Sequence, residues 1–270
     1  MHQILSCFPQ GKTKALTLSY DDGKLDDLDF IALLDKYSVP CTFNINSGLL
    51  GKDEGWGMHV SETDISSMYK KHEVSVHTLT HPTLPRCSKE SIINEVIEDR
   101  KNLERLIGKT VRGMAYPNRD GWTHEIKQML PFLGIDYARV TGCTGDFLIP
   151  KDFYEWQFTC DHNHGLLEKA GEFVSLAKPQ YLYLMSVYGH SWDIVKDNAM
   201  GKFEEFLHLV SHKADIWYAQ NIEFVDYMNA LKNLRFSADM SFVENPNAVS
   251  LWLSVNGMPV EIPGGQRIRF

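Results

Sequence analysis

The chain has 270 residues, with 27 Lys and Arg against 35 Asp and Glu for a net charge of −8, and no basic cluster interleaves with aromatics. Nucleic acid and anionic membrane are therefore not the expected partners. No apolar run approaches the roughly 20 residues of a membrane-spanning helix, and five scattered cysteines without a CxxC read as reduced thiols, not as a disulfide framework or a zinc ribbon.

Residues 1–12 lack the charged and apolar regions of a secretory leader. A cytoplasmic location is expected if the chain is full length, and a secreted or periplasmic one if a leader has been removed. Beyond them, short β-rich runs alternate with longer helical patterns, as parallel strands joined by helices do. Strands are expected at 15–20, 41–45, 73–77, 111–116, 137–140, 181–187 and 216–219, about the number a barrel needs. Between them, Leu28-Ile31-Leu34 and a longer stripe from Ile92 to Ile107 follow the three-to-four spacing of amphipathic helices, the second with Ser88 as N-cap and Gly108 as its stop. Further helices are expected at 125–133, 166–176, 203–212 and 223–234. From Ser237 the pattern turns to alternation, and Asn256-Gly257 between two such runs signals a hairpin. The expected division is a barrel over 1–236 and a small β-hairpin appendage over 237–270.

The first strand carries the most informative residues. Leu16 and Leu18 alternate with Thr17 and Ser19, the run ends in Tyr20-Asp21-Asp22, and Gly23 supplies the turn. Neighbouring side chains of an extended segment point to opposite sides, so Asp21 and Asp22 are expected to do different jobs. Taken alone, Asp-Asp-Gly is also ordinary turn chemistry.

A second strand end carries His77-Thr78-Leu79-Thr80-His81-Pro82. Two histidines four apart can face one metal if the segment between them makes a turn. Pro82 disfavours a helical His81, so an isolated turn is expected. By itself the spacing also describes two unrelated surface histidines. In an α/β barrel, however, the C-terminal strand ends converge on one face, which would bring Asp22, His77 and His81 together. Two imidazoles and a carboxylate leave positions open for water and substrate, as catalytic Zn²⁺, Fe²⁺ or Co²⁺ sites require. Asp21, beside this set but turned away from it, is then placed to take a proton from the attacking water.

With these two motifs in order, the chain resembles the polysaccharide deacetylase family, the NodB-like carbohydrate esterases. Ser19-Tyr20-Asp21-Asp22-Gly23 is similar to the family's TFDDG, and His77-Thr78-Leu79-Thr80-His81 matches its H(S/T)xxH. Over roughly residues 13–230 the resemblance implies an α/β fold, a distorted (β/α)7 barrel, with a divalent metal on Asp22, His77 and His81 and Asp21 as general base. Zn²⁺ is the first expectation for the metal, with Co²⁺, Ni²⁺ or Fe²⁺ as alternatives. The family's third motif, RPPYG, departs here to Met114-Ala115-Tyr116-Pro117-Asn118-Arg119, similar to a subgroup form FAYPYG, with Ala115 where the arginine would stand. The position matching Asn118 implies a backbone N–H that holds the oxyanion. Arg139 is the candidate replacement for the missing arginine, ahead of Arg112. His190, at the end of the strand that runs into Gly189, matches the family's late histidine and is expected as general acid. Tyr116, Trp156 and Trp192 are candidate substrate contacts, and Asp161-His162-Asn163-His164 is expected as a polar loop at the site rim rather than a second metal site.

The resulting expectation is metal-dependent hydrolysis of acetyl groups from an N-acetylated or O-acetylated carbohydrate. Two other readings stand beside it: a cyclic ureide or imide amidohydrolase on the same barrel, and a catalytically impaired carbohydrate-binding protein.

Overall fold

The structure is a computed structural model that describes residues 3–270. In chain order the strands are β1 Ile4–Cys7, β2 Lys14–Asp22, β3 Thr42–Ile45, β4 Glu73–Val76, β5 Gly113–Ala115, β6 Tyr137–Cys143, β7 Trp156–Phe158, β8 Cys160–Asp161, β9 Tyr183–Gly189, β10 Ile216–Tyr218, β11 Arg235–Phe236, β12 Phe242–Glu244, β13 Leu251–Val255, β14 Met258–Ile262 and β15 Arg267–Arg269. The α-helices are α1 Asp27–Lys36, α2 Ile65–Met68, α3 Lys89–Ile107, α4 His124–Met129, α5 Leu166–Ser175, α6 Ser191–Lys196, α7 Met200–Val210 and α8 Asn221–Lys232.

Parallel pairing runs from β2 through β3, β4, β5 and β6 to β7, and from β2 on its other edge to β9 and β8. Only Thr159 separates β7 from β8, and its N–H donates to Ser186 O at 2.9 Å. One interrupted stave therefore lies against β6 with its first half and against β9 with its second, which closes a seven-stave barrel. The sequence reading missed this stave and counted 216–219 in its place. β10 pairs only with Lys14, Ala15 and Leu16. Because β9 holds one edge of β2 over that stretch, β10 sits on the edge that β3 takes further along.

Along β2 the two-residue period separates two environments. Leu16, Leu18 and Tyr20 join the core between sheet and helices, with Phe30, Ile31 and Leu34 of α1, Val96 and Leu103 of α3 and Phe203 of α7. Each such buried side chain contributes roughly 1.5–3 kcal/mol. Thr17, Ser19 and Asp21 face the barrel interior, where the Asn44 amide donates to Ser19 Oγ at 2.9 Å. The helix over Asp27–Lys36 is turned slightly from its expected stripe, since Leu28 is exposed and Phe30 takes the buried position. In α3 the Ser88 hydroxyl accepts from the Ser91 N–H, and Gly108, at φ 67, closes the helix as expected. The helix expected over 125–133 ends at Met129 and continues as a 3-10 turn, Leu130–Leu133, where Pro131 lacks the N–H an α-helix needs.

The N-terminal ends of the strands are plugged by an apolar floor of Tyr137, Trp156, Phe158, Leu184, Phe224 and Leu251. The expected hairpin, β13 to β14 through Asn256-Gly257 with both residues at positive φ, lies on this floor. Its sheet is completed by β1, and Tyr227 of α8 ties the two, donating to Cys7 O at 2.7 Å and accepting from the Trp252 N–H at 3.0 Å. Residues near the start of the chain thus share the appendage's sheet. No helix among the described residues is long and apolar enough to cross a membrane.

Candidate active site

At the opposite end of the barrel, β2 stops in a bend. Asp22 has φ 81 and Gly23 φ 62. Asp21 keeps the inward direction of the strand, while Asp22 is turned towards the loop after β4. That loop carries His77 and His81 without forming a helix, with Thr78 at φ 68 and His81 at φ 60. The segment before Pro82 is not helical, as expected, and bends at Leu79 and Thr80, with the His81 N–H donating to Thr78 Oγ1 at 3.2 Å. Left-handed backbone at non-glycine residues costs of order 1–3 kcal/mol each, and it gathers here at Asp22, Thr78, His81 and Asn118.

Asp22 Oδ1 lies 3.6 Å from His77 Nε2 and 3.8 Å from His81 Nε2, and these ligand atoms all fall within 4.8 Å of one another. They form the one such group of His, Cys, Asp or Glu among the described residues. His77 Nδ1–H donates to Ala115 O at 2.9 Å, which leaves the Nε2 lone pair facing Asp22. Burial pushes the His77 pKa down to about 4, so the ring is a neutral ligand at physiological pH. The Trp192 indole N–H donates to Asp22 Oδ2 at 2.9 Å and fixes the carboxylate's other oxygen.

Asp21 meets a different set of partners. The Arg139 guanidinium donates to its Oδ2, and the Asn44 amide donates to Oδ1 at 2.8 Å. Burial raises the Asp21 pKa, but the positive charge of Arg139, with His77 and His190 behind it, outweighs burial and holds the carboxyl at about 2. Arg139 is fully buried, with its guanidinium 4.9 Å from the Tyr188 ring centre and 5.8 Å from that of Phe158. Arg112 instead pairs with Asp136 and Asp226.

Across the opening, His190 Nε2 lies 4.0 Å from Asp21 Oδ2. Its Nδ1–H donates to Asp193 Oδ2 at 3.1 Å. Burial disfavours the imidazolium, but the Asp193 hydrogen bond and the charges of Asp21 and Asp22 outweigh it and raise the pKa. Asn118 is exposed in the loop after β5, and its amide donates to Thr83 Oγ1 at 3.3 Å.

Two expectations about substrate contacts are corrected. Trp156 has no exposed surface, because it starts the interrupted stave and packs among Phe153, Phe158 and Phe224 on the floor. Tyr116 is buried as well, its hydroxyl donating to Tyr154 O at 3.2 Å. Neither can stack on a sugar. Trp192 is half-buried beside the histidines, where its N–H serves Asp22. In the 161–164 loop, Asp161 accepts from the N–H groups of Asn163 and His164 and from the His164 ring, and it assembles no second ligand group. His162 is buried against Tyr20, in space that any side chain at Gly189 would fill.

Several supporting residues escaped the sequence reading. Asp99, in the middle of α3, accepts from the N–H of His77 at 3.0 Å and of Ser47 at 2.7 Å. Asn46 donates from its amide to His77 O at 2.5 Å and Thr78 O at 2.9 Å. The His77 peptide is thus held on both sides. The only sequence signal was a polar residue on the buried stripe of a helix, Asp99 among Ile92, Val96 and Leu103.

The family model of polysaccharide deacetylases matches residues 9–138, a span that contains Asp21, Asp22, His77, His81 and Asn118 and stops before Arg139 and His190. Among solved structures, a candidate polysaccharide deacetylase from Mycobacterium smegmatis superimposes with a TM-score of 0.59 at 15% identity, covering 86% of this chain and 96% of that one. The Bc1960 peptidoglycan N-acetylglucosamine deacetylase gives 0.51 at 15% identity over 81% and 90%. The Streptococcus pyogenes deacetylase PplD gives 0.44 at 20% identity over 47% and 56%, so this chain spans about half of that protein. At these identities the likeness is one of fold. No curated protein matches the sequence significantly.

Proposed function

This chain belongs to the polysaccharide deacetylase family, and on that premise we propose that it is a metal-dependent hydrolase that removes acetyl groups from an N-acetylated carbohydrate. The observation that carries this reading is the division of labour at one strand mouth. Asp22, His77 and His81 converge as a ligand set, while Asp21 is kept ionised by Arg139 and faces His190 across 4.0 Å.

The donor set fits a divalent cation. Both histidines present Nε2 towards Asp22, His77 is held in the required tautomer by Ala115 O, and the orienting hydrogen bond from Trp192 leaves Asp22 Oδ1 available. Two imidazoles and one carboxylate suit Zn²⁺, and we propose it as the ion. When bound, the cation supplies Lewis acidity that polarises the acetyl carbonyl and lowers the pKa of water.

The remaining steps fall to the chain's own groups. Asp21 accepts the proton of the attacking water at a carboxylate oxygen. Arg139 and Asn44 fix that carboxylate and keep it charged. The Asn118 N–H, in a left-handed loop residue, is the proposed donor to the oxyanion as the carbonyl becomes tetrahedral. His190, oriented by Asp193, gives its Nε2 proton to the departing amine nitrogen, which leaves poorly as an anion.

Acetate assays on N-acetylglucosamine oligomers and acetylated xylan, with metal analysis of the same protein, test the reading and separate amide from ester hydrolysis. Asp21→Asn should lower turnover about a hundredfold or more while metal stays bound. A metal-loaded Asp21→Asn protein with full activity would remove Asp21 as the base.

A further inference from the structure

Beside the ligand set lies a cavity of about 180 Å³, lined by Asp22 and His81 themselves and by Lys24, Glu54, Trp56 and Trp192. Lys24 is the unexpected member. Its side chain is 96% buried, from a relative exposure of 4%. The ammonium donates to Gly57 O at 3.0 Å and to His59 Nε2 at 2.7 Å. An ammonium can only donate, so His59 Nε2 is the acceptor and Nδ1–H donates onward to Asp22 O at 2.9 Å. His59 is therefore neutral, and no carboxylate of the described residues lies within ion-pair distance of Lys24. Glu54 stands half-exposed at the rim and approaches the same His59 Nε2 at 3.4 Å, near Lys24 but without an ion pair to it. One of the three ammonium N–H groups has no acceptor.

Buried charges are normally paired, because leaving one without a counter-charge is costly. Lys24 is a buried cation with two neutral hydrogen-bond partners and no ion-pair partner, on the wall of a cavity that opens onto the reacting centre. At the mouth of that cavity Trp56 is 77% exposed and offers a flat apolar face, the surface on which a sugar ring stacks. We infer that Lys24 is a specificity-determining residue that takes a carboxylate carried by the sugar undergoing deacetylation, so the substrate is an acidic N-acetylated glycan. This rests on the deacetylase reading above. One remaining N–H on a single positive charge matches a monoanion. A phosphate dianion would bring a second negative charge beside the Glu54 carboxylate, with one free N–H of Lys24 to receive it.

The test compares acetate release from three probes: a neutral N-acetylglucosamine oligomer, an oligomer with an ether-linked lactyl carboxylate (N-acetylmuramic type), and one with a ring carboxylate (N-acetylated aminouronic type). The wild-type protein should favour one acidic probe in kcat/KM by about 30-fold, the scale of a charge-assisted hydrogen bond, and the favoured probe identifies where the carboxylate sits. Lys24→Met should abolish that preference mainly through KM and weaken calorimetric binding of the deacetylated acidic product by a similar factor, with Lys24→Arg restoring part of both. Metal content and melting temperature of Lys24→Met are measured alongside. Equal wild-type rates on acidic and neutral probes overturn the inference and leave the deacetylase reading intact. So does a Lys24→Met protein that loses activity equally on all probes, which would make Lys24 a brace for the His59 loop. Acetate release from none of these or other acetylated sugars would sink the deacetylase reading itself.

Discussion

The mouth and the floor of the barrel each bury a carboxylate, and the pKa values of the two are displaced in opposite directions. Asp21 at the mouth is held at about 2, whereas Glu73 at the floor is pushed up to about 7. Burial raises both. What differs is the partner: the Arg139 guanidinium at Asp21, against the Thr42 and Tyr137 hydroxyls and the Ile222 N–H at Glu73. Three neutral donors satisfy the oxygens of Glu73 without compensating its charge, while a single cation secures the ionised Asp21. Depth alone therefore does not mark a catalytic acid or base. A buried charge opposite a buried countercharge, at a strand's C-terminal end, does.

Replacing Arg139 by Met should produce the largest change. The variant leaves Asp21 buried without its cation, which costs about 3–5 kcal/mol in denaturant unfolding near neutral pH, and turnover should fall about a hundredfold because the base loses both orientation and charge. The sign of the pH effect follows from the depressed Asp21 pKa. In the wild type the pair's stabilisation is complete above the ordinary carboxylate value of 3.8 and is lost as pH falls towards 2. In Arg139→Met the acid limb of kcat/KM should move up in pH. The double variant Asp21→Asn/Arg139→Met removes both charges and should recover most of the lost stability while staying inactive. If the double variant is no more stable than either single one, the pair is not what holds these groups in place.

A smaller effect is expected one bond further from the reaction. Trp192→Phe keeps the ring beside His190 but removes the N–H that fixes Asp22 Oδ2. Equilibrium dialysis should show metal affinity lowered about tenfold, the scale seen for groups that orient metal ligands. At saturating metal, turnover should recover to within a few-fold. Unchanged affinity would make Trp192 a wall of the cavity and nothing more.

The mouth was far more legible in the sequence than the floor, for a physical reason. Asp21, Asp22, His77 and His190 are polar groups that end runs of alternating or apolar residues, and strand ends meet in a parallel barrel whatever the loops do. Arg139 is named because the strand expected over 137–140 puts it near a strand end; β6 runs on to Cys143, and Arg139 reaches Asp21 from inside the strand. By contrast, Trp156 was misread because an aromatic at a strand start looks the same whether it faces substrate or floor, and its stave is too short and interrupted to show a period. Asn46 and Asp99 act on the His77 backbone from two other elements, and no local pattern encodes such a contact. The β1 strand pairs with residues some 250 positions away, on the far side of the chain.

The floor provides the test with the smallest effect on catalysis. Glu73 has a folded-state pKa of about 7 against an ordinary 4.5, so between those values the folded protein binds more protons than the unfolded chain. Its contribution to stability is complete below pH 4.5 and is lost as pH rises to 7, by about 3 kcal/mol at 1.36 kcal/mol per pH unit. Asp27, pushed by burial to about 7 between Ser191 and Tyr69, adds a slope of the same sign. Glu73→Gln cannot titrate, so denaturant midpoints measured at pH 5 and pH 8 should lie closer together than in the wild type, with the Asp27 part of the difference remaining. Turnover should change less than about twofold, because the floor touches the mouth only through the intervening layers of side chains. An unchanged slope would mean that three neutral donors are enough to keep Glu73 ionised, and that the contrast with Asp21 lies in geometry rather than charge.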